Sequence, residues 1–77
     1  MTTEQVINKW KYNHPLALEA VLTAIEKSAS DSEVRFPYSK QRKLVTTQIF
    51  NDFGYILKKV VKINGEKSYC RYIKKKE

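Results

Sequence analysis

From Tyr55 to Lys74 the chain runs YILKKVVKINGEKSYCRYIK, two stretches rich in β-branched and aromatic residues on either side of Asn64-Gly65. Asn-Gly is the strongest short-range signal for a two-residue hairpin turn. A type I′ turn needs positive φ at both central positions, which Asn tolerates and Gly adopts freely. Closing the ribbon there sets a register in which Lys62 opposes Lys67, Val61 Ser68, Val60 Tyr69, Lys59 Cys70, Lys58 Arg71 and Leu57 Tyr72. Opposed residues share a face of the ribbon, and successive residues alternate between faces. One face then carries Leu57, Val61, Ile63, Cys70 and Tyr72, core material interrupted by Lys59, Ser68 and Glu66. The other carries Ile56, Lys58, Val60, Lys62, Lys67, Tyr69, Arg71 and Ile73.

On that second face two like-charged pairs, Lys62–Lys67 and Lys58–Arg71, flank Val60–Tyr69. Like charges placed opposite each other destabilise a hairpin by roughly the 0.2–1 kcal/mol that a good pair contributes. Lysines also keep sheet edges soluble, but edge protection accounts for scattered charges better than for two facing pairs. The face therefore suits a polyanion, with Tyr69 placed to stack on a base or to support the lysine stems.

Working outward, Ser39 is a suitable N-cap for a helix reaching Phe53, with Gly54 as its left-handed terminator. On that helix Val45, Ile49 and Phe53 form an apolar stripe with Thr46 and Phe50 beside it. Lys40, Lys43, Thr47, Gln48 and Asn51 fall on the polar side, where Leu44 is a blemish. Lysines there suit phosphates, while Thr, Gln and Asn can bond base edges in a major groove. Polar residues on a solvated helix face are also what any surface helix displays.

Further upstream, Leu18, Val21, Leu22 and Ile25 lie at i, i+3, i+4 and i+7, which predicts a helix from Pro15 to about Ser28. Thr2-Thr3 followed by Glu4-Gln5 predicts a shorter helix to about Tyr12, with Val6, Ile7 and Trp10 on one side. Those three serve either as a lid on the core or as a dimerisation face, the lid being the simpler reading. His14 beside Pro15 suits a cap. SASDSE, residues 28–33, is a loop by composition, with Ser30 or Asp31 available to cap one turn. Val34-Arg35-Phe36 is extended ahead of Pro37 and is available as a third short strand on the hairpin edge. The expected fold class is α+β: one domain over residues 1–77, three helices and a C-terminal β-hairpin.

Seventy-seven residues leave no room for a second core. The net charge is +7, and it is unevenly placed. Residues 1–33 hold three basic and five acidic side chains, a net of −2, while residues 34–77 hold twelve and three, a net of +9. A charge footprint confined to one half is what a nucleic-acid-binding surface produces. One cysteine, Cys70, permits no intrachain disulfide, which fits a cytoplasmic setting. The amino terminus shows no basic-then-apolar leader, and no apolar run has the roughly 20 residues of a membrane span. One histidine and one cysteine cannot build a zinc site, no glycine-rich phosphate loop is present, and Cys70 sits on the inward face of its strand. The residues thus point to no enzyme, no cofactor and no metal.

The order helix, extended segment, helix, Gly, hairpin resembles the winged-helix family of DNA-binding domains. The resemblance is carried by residues 43–73: a polar-faced helix ending in Asp52-Phe53-Gly54-Tyr55-Ile56, then the wing LKKVVKINGEKSYCRYI. It implies that the helix before the wing reads the major groove through Lys40, Lys43, Thr47 and Asn51. It implies also that the wing meets backbone through Lys62, Lys67 and Arg71. The family's usual second helix has no counterpart in SASDSEVRFPY, residues 28–38, unless it is a single turn. The functional expectation is a sequence-specific or architectural DNA-binding module, a small transcriptional or mobile-element or phage regulator. It would use helix 39–53 and wing 55–74, with duplex DNA as the favoured partner and a homodimer as an option. The candidate binding residues are Lys40, Lys43, Thr47, Gln48, Asn51, Lys58, Lys62, Lys67, Tyr69 and Arg71. The alternatives are an RNA or single-strand binder using Tyr69, Tyr72 and the lysines, or a protein-interaction or inhibitor module docking an acidic partner.

Overall fold

Thr2 opens the first helix through a reciprocal capping box, its hydroxyl accepting from Gln5 N while the Gln5 side chain accepts from Thr2 N. In the computed structural model, which describes residues 2–28, 33–63 and 68–75, this helix is α1 (Thr3–Trp10). It stops two residues short of the expected end, in a turn where His14 N donates to Trp10 O. Val6 and Trp10 are buried in the core, so α1 is a lid. α2 (Pro15–Lys27) follows, with Pro in its first turn and His14 at the N-cap without a side-chain bond. Its apolar stripe buries Leu18 and Val21. The possible turn at Ser30 or Asp31 lies outside the described residues.

Among the described residues three strands form one antiparallel sheet in the order β1-β3-β2: β1 (Glu33–Pro37), β2 (Tyr55–Val61) and β3 (Tyr69–Lys74). The segment around 34–36 is thus a third strand, and it pairs with β3, which becomes the central strand. The strand ladder runs on past Pro37, since Tyr38 N donates to Ser68 O. Residues 34, 36 and 38 therefore turn their backbone groups to β3, and Pro37, which lacks an N–H, falls on the open edge.

α3 (Lys43–Asp52) starts four residues later than Ser39, its expected cap. While Tyr38 is still tied to β3, the chain must turn before a helix can begin. Ser39 O accepts from both Arg42 N and Lys43 N, closing a single turn ahead of the helix. Among the described residues no helix lies between Ser28 and Ser39. Gly54 ends α3 at φ +91, the left-handed position expected of it.

The helices pack on one face of the sheet. Phe50 of α3 stacks on Tyr72 of β3 with centroids 3.9 Å apart, and meets Phe36 and Tyr55 edge-on. Val34, Cys70 and Tyr72 line the inner face and are buried. The described residues make a small α+β fold of three helices and a three-stranded antiparallel sheet, and no described helix is long and apolar enough to cross a membrane.

The hairpin register departs from the two-residue turn. Val61 pairs with Tyr69, Val60 with Cys70 and Lys59 with Arg71, then the register shifts, and Leu57 pairs with Tyr72 as expected. Lys58 is the extra residue of a β-bulge between Leu57 and Lys59. Asn64, Gly65 and Lys67 lie outside the described residues. The physical reason for the shift is burial. Without a bulge Lys59 would face Cys70 in the core, where an ammonium is costly. The extra residue turns Lys59 to solvent and puts Val60 inward instead.

Candidate nucleic-acid interface

The bulge and the third strand together rebuild the basic face. Cys70 and Tyr72 point inward, so Tyr69, Arg71 and Ile73 point outward with their direct partners. Arg71 is flanked by Arg35 on one side and Lys59 on the other, so three cations form one row across all three strands. Arg35, Pro37, Ile56, Lys58 and Lys59 are exposed, and no described helix covers this face. One acidic residue of the face, Glu33, bonds the Arg71 guanidinium. That bond, aided by the positive charges of Arg71, Arg35 and Lys58, holds the Glu33 carboxyl below its ordinary value. The Arg35 guanidinium also lies 5.4 Å from the centre of the Tyr69 ring.

Of the expected hairpin cations, Arg71 bonds Glu33, and Lys58 is exposed at the bulge of β2. Lys62 does not join them. It is in phase with inward Val60, and its ammonium lies 6.0 Å from the ring of Tyr38, which packs against the core. Lys67 lies outside the described residues. Val60 moves to the core side and Val61 to the open face, the reverse of the two-residue register. Arg35 and Lys59 are the residues that sequence reasoning missed. Lys59 carried a signal, a lysine stranded on an otherwise apolar face; Arg35 carried none until its strand was paired with β3.

On the helix-bearing side, Lys40, Gln48 and Asn51 are exposed as expected, and Lys43 is half-buried. Leu44 is 71% exposed, so the blemish is real and lies in a row with Gln41, Gln48 and Asn51. Thr47 departs from the expectation. It is half-buried, and its hydroxyl shares a 2.8 Å hydrogen bond with the Tyr72 hydroxyl. Tyr72 is fully buried and its hydroxyl pKa is pushed up by that burial, which removes it as a base-stacking residue. Cys70 is 2% exposed, and burial pushes its thiol up as well, away from the reactive thiolate. Among the described residues no cluster of three His, Cys, Asp or Glu could hold a metal ion.

No family model matches the chain, nor does any curated protein or solved structure.

Proposed function

We propose that this chain is a non-enzymatic nucleic-acid-binding module that favours duplex DNA. The carrying observation is the row Arg35–Arg71–Lys59 on an uncovered sheet face, with Lys58 beside it. Three adjacent cations that share, among the described residues, one neutralising carboxylate work against the stability of the sheet, and a phosphate backbone resolves that repulsion. In this reading the module is winged-helix-like, with turn 39–42 standing where the family has its second helix. Gln48 and Asn51 read base edges, Leu44 meets a thymine methyl, and Lys40 and Lys43 hold phosphates.

Titration of the full chain with labelled random duplex DNA tests the reading. About six phosphate contacts give a slope of log K against log[salt] near −5. Absent or salt-insensitive binding would remove the proposal. One observation favours a second reading: Tyr69, on the open face among cations, offers a ring to an unpaired base. Competition among duplex DNA, single-stranded DNA and RNA at one salt concentration separates the two.

A further inference from the structure

The two candidate surfaces lie on different sides of one sheet. Gln48 and Asn51 lie on α3, and Arg42 and Lys43 line a groove with Ala17 and Ala20 of α2, so all four belong to the helix-bearing side, while the row Arg35–Arg71–Lys59 belongs to the bare side. The Cα trace measures only 37 × 28 × 18 Å. Duplex DNA is stiff over about 50 nm, so a straight segment touching one side of so small a body does not reach round to the other. We infer that the protein is bivalent: the bare sheet face and the helix side each hold a separate segment of duplex, and one molecule bridges the two. This inference rests on the nucleic-acid reading above. Charge selects the occupant of the bare face, since its cation row fits a polyanion and repels a second copy of itself.

The test uses the full chain, a random-sequence duplex fixed to beads and a fluorescent duplex free in solution. The wild-type chain should retain the free duplex on the beads in proportion to the protein bound. The variants Arg35→Glu/Lys59→Glu and Arg42→Glu/Lys43→Glu should each bind one duplex in a plain titration, through the face left intact. Each should lose retention at least about fivefold, because binding to a second polyanion depends on the cations that face it. Should reversal disturb the sheet by circular dichroism, Arg35→Gln/Lys59→Gln serves in its place. Binding without retention overturns bivalency and leaves the nucleic-acid reading intact. Retention that survives one of the two variants also overturns it, because a dimer holding DNA by a single face would behave so. Absence of binding to either duplex at low salt removes both proposals.

Discussion

Thr47 and Asn51 sit one helical turn apart, yet they stand in different environments. The Thr47 hydroxyl is committed to buried Tyr72, whereas Asn51 is exposed. Thr47→Val keeps the shape and removes the bond, so urea unfolding should show a loss of about 1 kcal/mol with DNA preference unchanged. Asn51→Ala should do the opposite, leaving the unfolding midpoint alone and blurring sequence preference in a competition assay. Asp52 is a second structural anchor, accepting from Trp10 Nε1 at 2.8 Å and from Lys9 Nζ at 2.9 Å. Burial raises its pKa, but those two donors outweigh burial and set it below the ordinary 3.8. The stability it contributes is complete above pH 3.8 and is lost as pH falls through the lower folded value. Asp52→Ala leaves the partly buried indole N–H unpaired and should cost about 1–3 kcal/mol in urea unfolding. Asp52→Asn, which keeps an acceptor oxygen for the indole, should cost less. The burial of Trp10 was legible in the sequence from its spacing with Val6. Its bond to Asp52 was not, because 42 residues separate the two and no local pattern joins them.

At the scale of the element, the helices and strands were legible because their periodicities are strong, and Gly54 marked its own left-handed turn. Register was not legible. Turn chemistry at Asn64-Gly65 argued for one pairing, while the cost of burying Lys59 favoured another, and a bulge satisfied the core. Lys58 is the inserted residue, so deleting it should restore regular alternation with every other partner unchanged. The deletion variant should keep its circular dichroism spectrum and its melting temperature, and the salt slope of DNA binding should become shallower by about one. Gly54→Ala tests the left-handed turn that ends α3. A Cβ there meets nothing within 4 Å, so the cost is purely conformational, about 1–2 kcal/mol in urea unfolding.

For the whole molecule, the net charge of +7 acts in opposite directions on folding and on the proposed binding of DNA. Screening shortens the reach of charge from about 30 Å at 0.01 M salt to about 8 Å at 0.15 M. Salt should therefore raise the melting temperature of the free chain, by relieving repulsion along the cation row, while it weakens the proposed complex with DNA. A melting temperature that falls with salt would mean that the row carries no repulsion. The basic half of the chain was visible in composition; its distribution over two sides of a sheet was not, since that follows from which strand lies between the others. The contact between Trp10 and Asp52 has a practical consequence at this scale. The chain has a single tryptophan, and it is buried where the amino-terminal helix meets the third. Its intrinsic emission is thus a label-free optical reporter, shifting to the red whenever that lid lifts and staying blue while a ligand occupies the far side of the sheet.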